Sequence, residues 1–343
     1  MRVLAAAALV AQLVSGAPRT EILWDTYGVP HIFAATREQM FYAHGWAQAR
    51  NQGDLLLRLY GESRGRGAEY WGTDALDLDR WVWLNGVPDR AKAWYAAQSP
   101  EFRSYLDAFA RGINDYAKAH PDTIASEVRV VLPVSGVDVI GHTLRVVHYM
   151  YMGSRERMQT EVGGHIRDGI SGGSNTWAIG PAHSASGKAM LIINPHLPWG
   201  NTFYRYMEVH LTGPDYDLYG APQVGFPVPV VGFNRNLGWS RTVNPIDTVD
   251  FFGVPVQNGQ YRFDGKLRAF ERETKTIKVR MPGGVLRDEK IEVRRTVHGP
   301  VVYEGKGFVI AMRVAGLDRP RMLEEWFRMG EAHNAQEFSR ARS

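Results

Sequence analysis

Gly172-Gly173-Ser174-Asn175-Thr176-Trp177-Ala178-Ile179-Gly180, followed at Asn194-Pro195-His196-Leu197-Pro198-Trp199 by a second short signature, is the stretch on which the reading of this chain turns. The residues after Ser174 alternate as a strand, and Ala189 to Ile193 reads as a second strand that delivers an Asn-Pro-His corner. A hydroxyl at a strand start is thereby set beside an imidazole. A serine alcohol is a poor nucleophile until a base takes its proton, and one chemical solution makes it the first residue of a chain, so that its own α-amine is the base. That amine, with a reference pKa of about 7.7–8.0, is substantially neutral near pH 7. Two plainer readings stand beside this one: Ser174 as a turn residue in a Gly-rich loop, and His196 as general base of a Ser/His pair without chain cleavage.

Composition narrows the field. The 343 residues are 44% hydrophobic, enough for two domains or one large one. A balance of 40 basic against 36 acidic residues, with no dense Lys/Arg run, gives no footprint for nucleic acid. The lack of cysteine removes disulfides, thiolate zinc sites and cysteine catalysis together. Walker, dinucleotide and H-E-x-x-H patterns are missing too. Met1-Arg2, an apolar run from Val3 to Val14 and the small residues Ser15-Gly16-Ala17 form a secretory signal pattern over residues 1–17, with Pro18 next. Its run is too short to span a bilayer, and no other segment is long and apolar enough. The expected location is therefore periplasmic or secreted, with no membrane association after signal removal.

Taken in order, Thr20 to Trp24 reads as a strand, turned at Gly28-Val29-Pro30 before His31. Thr36-Arg37-Glu38-Gln39 has capping-box spacing and opens a helix running to Leu59, in which Gly45 and Gly53 ask for a closely packed neighbour. Gly61-Glu62-Ser63-Arg64-Gly65 fits the G-x-S-x-G elbow, but it follows a helical pattern where an elbow needs a buried strand. Helical periodicity resumes over Asp89 to Ala119, and a further helix is expected over His142 to Met152. Glu156 to Ile170 reads as an exposed linker. Beyond Ser174 come short strands at Thr176–Ile179, Met190–Ile193, Tyr204–Leu211, Asp217–Tyr219, Val228–Phe233 and Gly238–Thr242. A hairpin about Pro282-Gly283-Gly284 sets Thr276–Arg280 against Lys290–Arg294. A helical half before a β-rich half indicates the α+β class.

The separated motifs Tyr27-Gly28-Val29-Pro30-His31, Gly173-Ser174-Asn175, Asn194-Pro195-His196 with Trp199, Thr242-Val243-Asn244, Val297-His298-Gly299-Pro300-Val301 and Arg313-Val314-Ala315-Gly316-Leu317-Asp318 resemble, in order and across nearly the whole chain, the penicillin acylase family of N-terminal nucleophile hydrolases. The resemblance implies an αββα sandwich, two antiparallel sheets between helical layers. It implies a precursor of an α-chain (18–160), a spacer (161–173) and a β-chain that begins at residue 174. Cleavage falls at Gly173-Ser174. Ser174 then attacks an amide, His196 supports and orients it, and the backbone N–H of Val243 is one oxyanion donor. The family's second donor, an Asn side chain, lies farther along than Ser343. The resemblance therefore implies little amidase activity for these 343 residues alone, and a vestigial or binding role as the alternative.

Leu197, Tyr206, Val230 and Val231 are implied as the acyl pocket. Relatives that accept a dicarboxylic acyl group carry Arg where this chain has Val230, so an uncharged acyl chain is expected, as in an N-acyl-homoserine lactone or a β-lactam with an apolar side chain. The chemistry requires no cofactor. Some family members hold a structural Ca²⁺ with two Asp and a Glu, which here would be Asp247, Asp250 and Glu161; two Asp at this spacing are also ordinary turn residues.

Overall fold

The computed structural model describes residues 20–162, 173–198, 200, 202–242 and 246–341. The signal pattern, Trp199, Val243, Asn244 and all of the expected spacer but residues 161, 162 and 173 lie outside the described residues. The main helices of the first half are α1 (Arg37–Ser63), α2 (Gly67–Trp71), α3 (Leu76–Leu84), α4 (Val87–Ala97), α5 (Pro100–Ala119), α6 (Gly136–Leu144) and α7 (Arg155–Val162). Thr36 caps α1, its Oγ1 accepting from the Gln39 N–H at 3.1 Å. Only this half of the expected capping box forms, the Gln39 side-chain oxygen accepting instead from the Thr20 hydroxyl at 2.8 Å. The run read as one helix from Asp89 divides in two, because Ser99 caps α5 through the Phe102 N–H at 3.2 Å and Pro100 takes the first helical position. Helix α7 corrects the linker reading over Glu156–Val162, and its Met158 is buried.

The glycine signal in α1 marks where α1 and α5 touch. A Cβ on Gly45 would lie 2.0 Å from the Phe109 carbonyl oxygen, and one on Gly112 would lie 2.0 Å from that of Tyr42. The contact is backbone against backbone, so no side-chain rotation relieves it. Phe41 stacks on Tyr105 with ring centroids 4.9 Å apart, and Phe327 closes on Phe41 at 5.3 Å. We expect Gly112→Val to cost about 3 kcal/mol or more of stability. A urea midpoint unchanged from the parent would show that the helices do not approach this closely.

A six-stranded sheet runs in the order β1 (Glu21–Trp24), β2 (Pro30–Phe33), β5 (Val209–Gly213), β6 (Tyr216–Ala221), β7 (Val231–Phe233), β8 (Gly238–Trp239). Within it β2 pairs parallel with β5, matching His31 to His210 and Phe33 to Thr212. The helical half thus contributes two strands to the sheet of the β-rich half. A two-stranded sheet joins β3 (Ser174–Ile179) to β4 (Met190–Pro195). The third sheet, of seven strands, runs β11 (Lys266–Ala269), β10 (Gln260–Phe263), β9 (Val249–Gln257), β15 (Phe308–Val314), β14 (Gly299–Gly305), β13 (Leu286–Thr296), β12 (Glu271–Arg280). The expected hairpin is the β12–β13 pair, from Glu271 opposite Arg295 to Arg280 opposite Leu286; its tighter turn corrects the expected register, since Thr276–Arg280 face Leu286–Lys290 and not Lys290–Arg294. Two helices, α8 (Met322–Glu331) and α9 (Ala335–Ala341), follow.

The expected strand at Tyr204 starts later, at Val209, with Tyr206 making only a single bridge to Gln223. The one at Val228 is reduced to Val231–Phe233, since Pro227 and Pro229 supply no N–H for pairing.

Candidate active site at the start of β3

Ser174 opens β3 opposite Pro195, and the antiparallel register continues through Asn175 with Asn194 and Thr176 with Ile193 to Ile179 with Met190. This register places the Asn-Pro-His corner against the Gly173-Ser174 peptide. The His196 N–H donates to the Gly173 carbonyl at 2.9 Å, and the Ser174 hydroxyl donates to the same oxygen at 2.7 Å. The imidazole faces elsewhere, with its Nε2 3.4 Å from the Asn175 amide nitrogen. Strand alternation explains this: Asn175 and His196 occupy one face of the hairpin, Ser174 and Pro195 the other. A Ser174/His196 general-base pair is therefore not formed here. At the elbow-like motif, Ser63 is buried within α1 and its hydroxyl donates to the Tyr60 carbonyl at 2.8 Å, a helical contact.

Behind β3–β4, Val230 and Val231 are buried in a cluster with Val146, Val147 and Phe226, packed against Tyr206, Tyr151, Phe203, Trp326 and Ile193 of β4. Three residues expected in the acyl pocket thus share one apolar cluster three positions from His196. Leu197 is half-buried beside that corner. Sequence reading missed Val146, Val147 and Tyr151, which come from a π-helical segment, Arg145–Met152, that continues α6. A π-helical segment often marks functional plasticity, but its i→i+5 bonding leaves no mark in the hydrophobic period.

The loop that carries Val230 is held from below by α1 and α6. Gln48 donates to the Phe226 carbonyl at 2.8 Å and accepts from the Gly225 N–H at 2.8 Å, while the Tyr60 hydroxyl donates to the Gly225 carbonyl at 2.7 Å. The His44 Nδ1 meets the Pro227 carbonyl at 3.1 Å and the His142 Nε2 meets that of Val224 at 3.0 Å. Gly225 has φ +85°, and a Cβ there would press on His142 and Tyr60. Burial holds both imidazoles neutral, lowering His44 to about 4 and His142 to about 3. In His44 the Nε2 is left to accept from Gln48, 3.0 Å away, and a second proton there would set donor against donor.

The sign of the pH effect follows. With folded values below the ordinary 6.5, the unfolded chain binds more protons in acid, so the stabilisation is full above pH 6.5 and is lost toward pH 4 and below. His142→Gln keeps a donor for Val224 but does not titrate. Relative to the parent it should gain about 1.4 kcal/mol per pH unit as pH falls from 6.5. Urea titrations at several pH values read this directly, and parallel curves would remove His142 from the acid response.

For the calcium expectation, Asp247 is exposed and lies 3.8 Å from an Arg157 nitrogen, and Asp250 is exposed on β9 opposite Arg313. Glu161 follows Arg157 by one turn of α7, and its side chain is outside the described set. Among the described residues no group of three or more His, Asp or Glu gathers as a metal site.

Over residues 19–343 the chain matches the penicillin amidase family, and it belongs to that family. Two curated relatives are acyl-homoserine lactone acylases PvdQ. The protein of Pseudomonas savastanoi pv. phaseolicola is 30% identical over 98% of this chain and 48% of its own length. That of Pseudomonas syringae pv. syringae is 29% identical over 94% of this chain and 47% of its own. The chain thus spans about half the length of the curated relatives it matches. A solved structure, thermostable penicillin G acylase from Alcaligenes faecalis, shares 27% identity over 49% of this chain and 31% of its own, with a TM-score of 0.44.

Proposed function

We propose that Ser174 cleaves its own chain after Gly173 and then acts, as an N-terminal residue, as the nucleophile of an amide hydrolase that releases an uncharged acyl group. The observation that carries this reading is the double contact on the Gly173 carbonyl oxygen, from the Ser174 hydroxyl at 2.7 Å and the His196 N–H at 2.9 Å. Addition of Oγ to that carbonyl carbon makes a tetrahedral oxyanion on the Gly173 oxygen, which the His196 N–H is placed to receive. Collapse breaks the C–N bond, passes a proton to the departing nitrogen and leaves an ester on Oγ. Water then hydrolyses the ester to a Gly173 carboxylate and a free Ser174 α-amine. The α-chain would be 18–160, with 161–173 as spacer, and a leader at 1–17 would direct export to the periplasm or medium.

In turnover, the freed amine takes the Ser174 hydroxyl proton through a water while Oγ attacks a substrate amide, and the Val243 N–H receives the oxyanion. Collapse breaks the amide C–N bond, the departing amine takes up that proton, and a second water hydrolyses the acyl ester to free acid and regenerates Ser174. The acyl chain enters the cluster of Tyr206, Val230 and Val231, with Leu197 at its edge. Family membership and the acyl-homoserine lactone acylase relatives support amide hydrolysis as the reaction. The αββα sandwich remains the expected architecture; β3–β4, whose residues Trp177, Met190 and Ile192 are exposed on one face, would belong to its core sheets. A structural Ca²⁺ held by Asp247, Asp250 and Glu161 would fix α7 to β9 and take the place of the Arg157 guanidinium that lies 3.8 Å from Asp247. Incubation with p-nitrophenyl octanoate followed by mass spectrometry tests the nucleophile: an octanoyl group on the fragment that begins at Ser174 is expected, and labelling elsewhere contradicts it.

A further inference from the structure

The motif Tyr27-Gly28-Val29-Pro30-His31 ends in an imidazole that the chemistry of Ser174 does not use. β2 and β5 set His31 in register with His210, and on the next strand Tyr219 stands opposite His210 and Asp217 opposite Thr212. Strand alternation then sorts the side chains: Ile32, Leu211 and Leu218 turn inward and are buried, while His31, His210, Thr212, Asp217 and Tyr219 share the outer face. On that face the two Nδ1 atoms stand 3.2 Å apart, with the ring planes crossed at 86°. The other nitrogen of each ring faces a carboxylate. His210 Nε2 donates to Asp217 at 2.8 Å, with the Thr212 hydroxyl 3.2 Å away, and the second Asp217 oxygen is held by Arg235 at 3.1 Å. His31 Nε2 lies 3.6 Å from one oxygen of Asp25, whose other oxygen accepts from the Tyr27 and Val29 N–H groups at 2.8 and 2.9 Å.

We propose that His31 and His210 are the protein ligands of a zinc site, and that the metal clips β2, which precedes Ser174, to β5, which follows it. A carboxylate beside each Nε2 repels a lone pair there and attracts a hydrogen, so each ring carries its N–H on Nε2 and turns a bare lone pair on Nδ1 toward its neighbour. Two lone pairs this close repel unless a cation lies between them. Imidazole nitrogens that bind one tetrahedral zinc at about 2.0–2.1 Å stand about 3.3 Å from each other, close to the separation here. A metal-bound imidazole characteristically directs its second N–H to a carboxylate, the part taken by Asp217 and, at longer range, by Asp25. Imidazole donors suit zinc and copper, whereas calcium and magnesium require oxygen. The His31 and His210 side chains are 29% and 23% exposed, so water reaches the remaining coordination positions. β2 and β5 pair only from His31 with His210 to Phe33 with Thr212, so a metal bridge would reinforce a short joint between the two halves of the chain. The site is independent of the reaction proposed for Ser174.

The probe is zinc chloride, titrated calorimetrically into metal-stripped protein. One zinc should bind per chain, and Asp217→Asn should weaken it by about tenfold or more, the usual cost of removing the outer partner of a ligating imidazole. His31→Gln and His210→Gln should each weaken it at least as far. Zinc should also raise the thermal midpoint of the parent and leave that of the doubly substituted protein, His31→Gln with His210→Gln, unmoved, because a ligand stabilises only the fold that binds it. With copper(II) in place of zinc, the electron paramagnetic resonance spectrum should show a pair of imidazole nitrogens in the parent and a single one in either His variant. A parent protein that binds no zinc overturns the proposal and leaves a shared proton between the two rings. Zinc bound as tightly by the doubly substituted protein as by the parent overturns it as well, and places the ion on other histidines of the chain.

Discussion

His196→Pro is expected to slow chain cleavage at Gly173-Ser174 by about 10²–10³-fold, the usual cost of removing one oxyanion donor, whereas His196→Ala should cleave at nearly the parent rate. The two substitutions separate backbone from side chain. Proline deletes the N–H that reaches the Gly173 carbonyl at 2.9 Å, while alanine deletes only an imidazole that faces Asn175. The residue before is already Pro195, so the backbone there is extended in either case. Cleavage is followed by gel densitometry over time after expression. If His196→Ala stalls as severely as His196→Pro, the imidazole has a role in proton transfer, and the Ser/His reading returns.

The second large effect is expected at Val230. Its side chain is 5% exposed and its cluster partners are Val146, Val147, Phe226 and Val231, none of which can pair a charge. Val230→Arg therefore sets a guanidinium against apolar groups unless the side chain finds a route out past Tyr206. An uncompensated buried charge costs several kcal/mol, so a fall in the thermal midpoint of about 5 °C or more is expected. The acyl preference should move with it: hydrolysis of octanoyl amides falls by about 100-fold relative to glutaryl amides, because a glutaryl carboxylate is the partner the new charge lacks. An unchanged midpoint together with an unchanged octanoyl-to-glutaryl ratio would take Val230 out of the pocket.

Local signals carried much of the fold. Thr36 capped its helix, Gly45 sits where α1 crosses α5 and Gly53 where Ile124 packs on α1, and Pro282-Gly283-Gly284 turns the β12–β13 hairpin. Ser99-Pro100 was also legible as a helix start, yet the uninterrupted apolar period across it hid the break. What local reading could not supply was pairing over distance. Four residues beginning with a proline, Pro30–Phe33, give little periodicity, and their strand exists because Val209–Gly213 lies alongside. The same holds at the candidate site. Ser174, His196, Tyr206, Val230 and Val231 stood out through motif resemblance, while Gln48, Tyr60 and His142 lie within ordinary helical patterns. Only the fold brings their polar groups against the carbonyls and N–H groups of residues 224–226. The backbone role of His196 was likewise invisible, since a sequence displays the imidazole and not the N–H.

The account's central claim is that Ser174 becomes the first residue of a chain by its own action. N-terminal sequencing with intact-mass analysis of the purified protein, beside Ser174→Ala prepared in parallel, tests it most directly. The prediction is a fragment that begins Ser174-Asn175-Thr176-Trp177 in the parent and a chain uncut at Gly173-Ser174 in the variant. A parent protein that stays intact at that bond, or a variant cut there as well, would contradict it.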